Sequence, residues 1–265
     1  MAENCLVERI ITSNVFYLAL NMPERRNALS IAMLEALSDA LDAADGDKNA
    51  RVIVISGNGP VFCSGHDLKE LTAARNSEDR GAQFFADTMR LCSSVMQKIV
   101  NHRLPVIADV RSTASAAGCQ LVASCDIAVA SEEAKFITPG VNIGLFCSTP
   151  MVALSRNVAN KHALEMLLTG EPASAQKAAE IGLVNRVVPA GEVDATVKWY
   201  TDRITAKSAM TIKTGKQAYY RQVQMPLSEA YDYCAQVMVE NMLKNDAEEG
   251  IGAFLEKRNP EWTDS

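Results

Sequence analysis

The alternation of short apolar runs with amphipathic helical stretches constrains the fold of this 265-residue chain more than any other feature. Leu6–Ile11 and Val15–Asn21 are expected to be strands joined by a short polar turn. Ser30 opens a helical pattern that runs to Ala44, and a second long helix is expected over Gln83–Val100. Further strands are expected at Arg51–Ser56, Pro105–Val110, Asp126–Ala130 and Lys135–Ile137. The first half is therefore α/β, with parallel strands joined by crossover helices.

From about Ser148 onward the pattern is almost purely helical. Gly170 and Gly182 are expected to end two of these helices as C-caps. The expected helices are Lys161–Thr169, Ser174–Ile181, Glu192–Ala206, Met210–Arg221, Leu227–Leu243 and Glu248–Lys257. Apolar positions on more than one face of this tail call for a packing partner, and a neighbouring subunit is a candidate. Spacing alone leaves open whether the sheet is doubly wound or built as a spiral of turns.

Charge and cysteine content exclude several classes of function. The net charge of −6 argues against nucleic acid or an anionic membrane as the main partner. Seven cysteines in apolar surroundings, without a CxxC pair, indicate reduced thiols and no metal site. The first ten residues are too polar for a signal peptide, and no window approaches the roughly 20 apolar residues of a membrane span. We expect a cytoplasmic protein, or a processed protein of an organellar matrix.

Two loops of the same kind follow buried strands in the first half. One runs from Val61 to Lys69, and the other from Arg111 to Gly118. Each combines a strand exit, small residues and a helix start, where backbone N–H groups point outward without partners. If the two loops lie side by side, two convergent N–H donors form an oxyanion hole. Asp67, followed by Glu70 three residues later, predicts a capping box at the helix of the first loop.

The motifs of nearly the whole chain resemble one family. They are PERRNALS (residues 23–30), VFCSGHDLKEL, PVIADV, AAGCQLVASCDIAVAS, KFITPGVNIGL, LTGEPASAQKAAEIGLVNRVV and AFLEKRNPEW. They resemble those of the crotonase, or enoyl-CoA hydratase/isomerase, superfamily, and look most similar to the enoyl-CoA hydratase domain-containing proteins. The resemblance implies a spiral of β-β-α turns over residues 1–200 and a helical region over residues 201–265 for oligomerisation and pocket closure. It also implies homotrimers or hexamers that bind acyl-CoA or enoyl-CoA thioesters, with no cofactor beyond the substrate's coenzyme A.

The resemblance assigns the oxyanion hole to the backbone N–H groups of His66 and Ala117. Gln120 and Gly140 stand where the family's hydratases carry their two catalytic glutamates. General acid–base groups typically contribute about 10²- to 10⁴-fold to a rate, and neither residue can take that role. Arg111-Ser112 also replaces the family's usual Asn-Gly. We therefore expect a hydratase-like lyase without the usual acids; the alternatives are a non-catalytic acyl-CoA binder, or a hydrolase, decarboxylase or isomerase.

The resemblance also implies a binding set for coenzyme A. Arg25 and Arg26 match the family's nucleotide-facing stretch, and Lys257 and Arg258 lie on the expected final helix, whose counterpart often approaches the phosphates. Solvated surface charge is the alternative interpretation of all four. The complete set is Arg25, Arg26, Ala28, Ser64, His66, Asp67, Leu68 and Lys257.

Other polar or reactive side chains near these motifs are expected to be structural. The His66 ring is the obvious titratable group near the expected pocket, although the family uses the backbone at this position, so a catalytic role of the ring stays open. Cys119 and Cys147 are interpreted as buried apolar filler. Asp126 is expected to accept hydrogen bonds in a turn, and Asp109 to pair with Arg111 or face solvent.

Overall fold

The main sheet of the computed structural model, which describes residues 5–265, has six strands in the order β1-β2-β3-β5-β7-β10. A smaller sheet has the order β4-β6-β8-β9. The strands are β1 (Val7–Thr12), β2 (Val15–Leu20), β3 (Val52–Gly57), β4 (Val61–Cys63), β5 (Val106–Val110), β6 (Thr113–Ser115), β7 (Ile127–Ser131), β8 (Lys135–Ile137), β9 (Ala173–Ser174) and β10 (Arg186–Val188). Residues 1–4, which belong to the N-terminal stretch that is too polar for a signal peptide, lie outside the described residues.

Eleven α-helices are found in the described part of the chain. They are α1 (Ile31–Gly46), α2 (Leu68–Ala74), α3 (Ala82–Asn101), α4 (Ala117–Ser124), α5 (Ser148–Asn157), α6 (Asn160–Thr169), α7 (Ala175–Glu180), α8 (Val193–Thr205), α9 (Ala209–Gln222), α10 (Leu227–Met242) and α11 (Asn245–Glu256). Short 3₁₀ turns cover Pro23–Arg25, Pro139–Ile143 and Ala190–Glu192. The predicted helices agree with these bounds to within three residues at each end.

The main sheet is parallel except for its first pair. β1 and β2 form an antiparallel hairpin whose turn residues, Ser13 and Asn14, have φ of 50° and 64°. β3 and β5 are buried on both faces: Ile53 and Ile55 contact the larger core, whereas Val52 and Val54 face a second apolar cluster. This double burial explains the continuous apolar runs in the sequence.

Helix α1 begins where the sequence predicts. The Ser30 hydroxyl accepts a hydrogen bond from the Met33 N–H at 3.1 Å, which satisfies one of the free donors of the first turn. Leu34, Leu37 and Leu41 are fully buried against the sheet. The apolar face of α1 thus fixes the segment before it, residues 22–30, which lies beside the candidate site.

The predicted capping box of α2 is only half formed. Asp67 caps the helix, since its Oδ1 accepts from the Lys69 N–H at 2.9 Å. Glu70 does not reach back to the Asp67 N–H; its Oε2 accepts from the Ile31 N–H at 3.2 Å. The prediction was wrong in this half because α1 presents its own free donor to the carboxylate.

Helix α9 is anchored to the α/β layer by a buried lysine. Lys216 donates to Ile99 O at 3.0 Å, Leu104 O at 2.9 Å and Asp126 Oδ2 at 2.7 Å. All three ammonium N–H donors are therefore satisfied. Burial lowers the pKa of Lys216, and Asp126 opposes that shift.

Helices α10 and α11, together with Leu243 just after α10, expose large apolar side chains; those on the helices are Leu227, Tyr231, Met238, Met242, Phe254 and Leu255. This exposure agrees with the apolar positions that the sequence places on several faces of the tail. No helix within residues 5–265 is long and apolar enough to cross a membrane.

Candidate active site

The two loops predicted to cooperate lie side by side. β4 and β6 are parallel neighbours, with Val61 opposite Thr113 and Cys63 opposite Ala114, so both strands end at the same edge of the smaller sheet. The following residues approach closely: a Cβ atom on Gly65 would lie 3.3 Å from the Ala117 nitrogen. A Cβ on Gly118 would lie 2.3 Å from Cys63 O, so only glycine allows α4 this close to β4.

Each loop offers a backbone N–H group without a protein acceptor. Within residues 5–265, neither the His66 N–H nor the Ala117 N–H donates a hydrogen bond. Ala117 is the first residue of α4, and no side chain caps that helix at Ala116. Free N–H groups at a helix start carry the positive end of the helix dipole. The pair can therefore stabilise negative charge that develops on an oxygen.

Ala116 holds a backbone conformation that few residues with a side chain adopt. Its φ is 49° and its ψ is −115°. Such conformations cost about 1–3 kcal/mol and persist where surrounding contacts impose them, often at functional sites. Here the Ala116 N–H donates to Ile137 O at 2.8 Å, which fixes the turn before the free donor of Ala117.

The buried polar atoms that lack hydrogen bonds gather at these loops. In residues 5–265 three buried side-chain atoms have no hydrogen-bond partner: His66 Nε2, Asp67 Oδ2 and Gln120 Oε1. Asp67 Oδ2 is nevertheless neutralised by the Arg25 guanidinium at 2.5 Å. Since buried polar groups are almost always paired, His66 and Gln120 mark a place where a ligand or water completes the structure.

The surroundings of His66 determine the charge of its ring and which ring nitrogen carries the proton. Its Nδ1 lies 3.4 Å from Leu29 O, which places the ring proton on Nδ1 and leaves Nε2 as an acceptor. Burial lowers the pKa of His66, and the contact with Leu29 opposes that shift. The ring is therefore neutral near pH 7.

Residues 25–31 hold the first loop in place. Leu29 N–H donates to Gly65 O at 2.8 Å, and Ser64 N–H donates to Arg26 O at 3.1 Å. Asn27, fully buried with φ of 51°, donates to Asn58 O at 2.9 Å and Val61 O at 2.8 Å. Sequence reasoning missed Asn27 as an organising residue; asparagine's tolerance of positive φ beside a turn was the available signal.

Gly140 is buried, and its surroundings leave little room for a side chain. A Cβ there would lie 3.0 Å from both Cys147 Sγ and Leu145 O. Burial raises the pKa of Cys147, while a hydrogen bond from the Gly140 backbone opposes that shift. Burial raises the pKa of Cys119 to about 12. Both thiols are therefore protonated near neutral pH, as expected for apolar filler.

The residues expected to bind coenzyme A fall into two groups. Arg25, Arg26, Ala28, Ser64, His66 and Asp67 come together around the first loop, with Leu68 exposed next to them. Lys257 lies just beyond α11 with φ of 57°, not on the helix as expected. Arg258 is paired with Glu249 and Glu256, each at 2.6 Å, which favours the surface-charge interpretation of that residue.

The remaining acidic residues have structural partners, as the sequence predicts. Asp126 accepts from the Val106 N–H at 2.6 Å and from the Tyr220 hydroxyl at 2.9 Å, in addition to Lys216. Asp109 is paired with Arg111 at 2.8 Å. Within residues 5–265, no cluster of three or more histidine, cysteine or carboxylate side chains could hold a metal ion.

Comparison with known proteins places this geometry in a family. The family model described as enoyl-CoA hydratase/isomerase matches residues 11–265. The chain belongs to the enoyl-CoA hydratase/isomerase family. Among its relatives, human enoyl-CoA hydratase domain-containing protein 3, mitochondrial, is 51% identical over 247 residues, covering 93% of this chain and 80% of the relative.

Solved structures of this family share the fold. The crystal structure of that human protein superposes with a TM-score of 0.93 at 47% identity, covering 97% of this chain and 100% of the other. An enoyl-CoA hydratase from Mycobacterium smegmatis also gives a TM-score of 0.93, at 44% identity, covering 97% and 98%. The crotonase fold predicted from the sequence is thereby confirmed, and with it the family of the chain.

Proposed function

We propose that this chain binds an acyl-CoA thioester with the carbonyl oxygen between the His66 and Ala117 N–H groups. The concentration of unpartnered polar groups at the two loops supports this proposal. Two N–H donors polarise a thioester carbonyl and stabilise the enolate that forms when charge moves onto its oxygen. Such stabilisation serves hydration, isomerisation and related chemistry of the family.

The reaction that we propose is hydratase-like, without the usual pair of carboxylic acids. Gln120 does not titrate in a usable range, and Gly140 has no side chain. The same observation favours a second candidate, a protein that binds acyl-CoA and does not turn it over. The two candidates differ in turnover and agree in requiring the two N–H donors.

The remaining parts of the site follow from this proposal. Arg26, Lys257 and the backbone near Ala28, Ser64 and Leu68 bind coenzyme A, and Arg25 contributes through Asp67. We further propose that residues 1–200 form the pocket-bearing core and residues 201–265 close it. The exposed apolar side chains of α10 and α11 pack in a homotrimer or hexamer.

We propose a reducing compartment as the location, because all seven cysteines are free thiols. The name of the human relative places that protein in mitochondria. It favours the organellar matrix over the cytoplasm.

A panel of acyl- and enoyl-CoA thioesters, assayed for binding and turnover, tests the proposal. Ala117→Pro removes one donor at a helix position that tolerates proline. Ala175→Pro makes the same change at the first residue of α7 and serves as the control. We expect thioester binding to be at least tenfold weaker in Ala117→Pro but not in Ala175→Pro. Equal binding by Ala117→Pro and the parent chain would exclude the proposed oxyanion hole, and turnover of any thioester would exclude the pure binder.

A further inference from the structure

We infer that α11 and the residues after it form one arm, latched to the rest of the chain by two carboxylates, and that phosphate binding at Lys257 holds this arm closed. The arm comprises residues 245–265, and the two carboxylates belong to Asp246 and Asp264. The inference rests on the proposed function, which assigns Lys257 to coenzyme A. It adds a moving part to that function, and it makes Asp246 and Asp264 positioning residues that act through Lys257.

Little apolar packing attaches α11 to the rest of the chain. Of its twelve residues, all of which the structure describes, only Asp246 and Ala253 are buried. Helix α1, with sixteen residues, buries six. The large side chains of Phe254 and Leu255 are exposed. Since apolar burial supplies most of the stability of a packed helix, α11 depends on polar contacts for its position.

The segment that follows α11 runs back along the helix. Glu249 Oε1 accepts from the Glu261 N–H at 2.7 Å, and one turn earlier Asp246 Oδ1 accepts from the Thr263 N–H at 2.7 Å. Asp246 Oδ2 accepts from the Asp264 N–H at 3.0 Å. Because these backbone donors lie opposite successive turns of the helix, the helix and the segment form a single unit.

Asp264 and Asp246 connect this unit to the rest of the chain. Asp264 Oδ1 accepts from the N–H of Ala209, the first residue of α9, at 2.7 Å, and its Oδ2 pairs with Arg51 at 2.6 Å. The carboxylate thus lies at the positive end of the α9 dipole. Burial raises the pKa of Asp246, but hydrogen bonds from Ser208 and from the segment outweigh that shift, so the pKa lies below its ordinary value and the carboxylate is ionised near pH 7.

Contacts of this kind allow the arm to open while the core stays folded. Trp262 adds one more of them, since its Nε1–H donates to Ala206 O at 2.9 Å. A unit that is held by a few hydrogen bonds near the surface opens at a lower free energy than the elements of a packed core. The arm is therefore expected to open and close as a unit.

Lys257 lies at the turn between the helix and the segment, so its place depends on the arm. Its φ is 57°, and its N–H donates to Phe254 O at 3.3 Å. Arg258 beside it neutralises Glu249 and Glu256, which leaves the exposed Lys257 ammonium for a phosphate. A ligand that binds the arm only in its closed position slows opening by the factor that the arm adds to the affinity.

Hydrogen exchange, measured by mass spectrometry on peptides of the full chain, tests both parts of the inference. We expect α11 to exchange faster than α1 in the free protein. Saturating butyryl-CoA should slow exchange in α11 about threefold or more, whereas S-butyryl-pantetheine, which lacks the nucleotide and its phosphates, should not. Lys257→Met should remove the slowing, and Lys244→Met, just before the start of α11, should retain it.

Two variants of the latch, Asp246→Asn and Asp264→Asn, keep the size of the side chain and lose its charge. Each should speed exchange in α11 at least about tenfold and leave α1 unchanged. Asp202→Asn, at an exposed aspartate of α8 that also pairs with a lysine, is the matched control and should leave α11 unchanged. Exchange in α1 shows in the same experiment whether each variant is folded.

Other results overturn defined parts of the account. Unchanged exchange of α11 in both latch variants would mean that another contact, such as a neighbouring subunit, holds the arm, which overturns the latch. A parent chain that binds butyryl-CoA without slowing α11 would overturn the role of Lys257 and leave the proposed oxyanion hole standing. Slowing that survives in Lys257→Met would overturn the assignment of the phosphates to that residue. Failure of the parent chain to bind either thioester would overturn the proposed function itself.

Discussion

Gly65 and Ala117, which belong to loops 52 positions apart in the chain, pack so closely that a Cβ on Gly65 would lie 3.3 Å from the Ala117 nitrogen and 3.1 Å from Ser115 O. Gly65 also has φ of 92°, which residues with side chains rarely adopt. Two independent reasons therefore require glycine at this position: the backbone conformation and the lack of space for a side chain. The contact brings the next residue, His66, beside Ala117 and so forms the donor pair.

The strained turn at Ala116 predicts an unusual response to glycine. Ala→Gly inside a helix costs about 0.5–1 kcal/mol. At Ala116, with φ of 49°, relief of strain offsets that cost, and we expect unchanged or increased stability. Ala40→Gly, inside α1, is the control and should lose stability. Chemical denaturation measures both, and a comparable loss in the two variants would show that Ala116 is not strained.

The buried ammonium of Lys216 predicts a large difference between two lysines of α9. Lys216→Met leaves the partly buried Asp126 without its charged partner, and we expect a loss of about 3 kcal/mol in the free energy of unfolding. Lys213→Met, one turn earlier on the exposed side, should change it by less than about 0.5 kcal/mol. Thermal and urea unfolding of both variants measure the difference. Similar small losses would show that the Asp126–Lys216 pair does not anchor α9.

The crowding around Gly140 predicts that a side chain at this position is costly. We expect Gly140→Ala to lose about 1–3 kcal/mol of stability, because its Cβ meets Cys147 Sγ and Leu145 O, each at 3.0 Å. Cys147→Ala in the same chain should restore part of that loss. Gly191→Ala, where a Cβ meets nothing within 4 Å, is the control. An unchanged melting temperature in Gly140→Ala would contradict this packing. The expected loss of stability means that a glutamate at this position needs a compensating change at Cys147.

The buried His102 and the partly buried His66 predict the pH dependence of stability. Burial lowers the pKa of His102, whose Nε2–H donates to Leu41 O at 3.1 Å and whose Nδ1 accepts from the Leu104 N–H at 3.0 Å. The pKa of His66 is lowered as well. As the pH falls through about 6.5, the unfolded chain takes up protons that the folded chain does not, so the free energy of unfolding decreases.

Denaturation at several pH values between about 8 and 5.5 measures this slope. We expect His102→Gln to reduce it, because one of the two histidines is gone. His162→Gln, at a partly exposed residue of α6, is the control for replacing a histidine elsewhere in the chain. A slope that is identical in all three proteins would contradict the assignment to His102.

The sequence predicts the long strands and helices of this fold because their patterns are local. β3 and β5 are continuous apolar runs, and α1 begins at a serine that accepts the expected hydrogen bond. The equally short β8 is predicted, but no pattern in the sequence marks β4, β6, β9 and β10, which are only two or three residues long. They owe their conformation to pairing with distant segments, and two of them bring the candidate site together.

In the candidate site, too, the sequence predicts some features and not others. The motifs point to His66, Ala117, Gln120 and Gly140 as candidates. Local pattern could not reveal the strain at Ala116, the unpartnered Oε1 of Gln120, or the Glu70–Ile31 hydrogen bond. Each of these depends on contacts between residues far apart in the chain.

The carbonyl stretching frequency of a bound thioester tests the central claim most directly. Infrared difference spectra with butyryl-CoA carrying carbon-13 at the thioester carbonyl report the hydrogen bonds to that oxygen alone. Two N–H donors from His66 and Ala117 predict a lower frequency than in water, a shift that Ala117→Pro reduces and Ala175→Pro retains. A bound carbonyl that absorbs at or above its frequency in water would contradict the account.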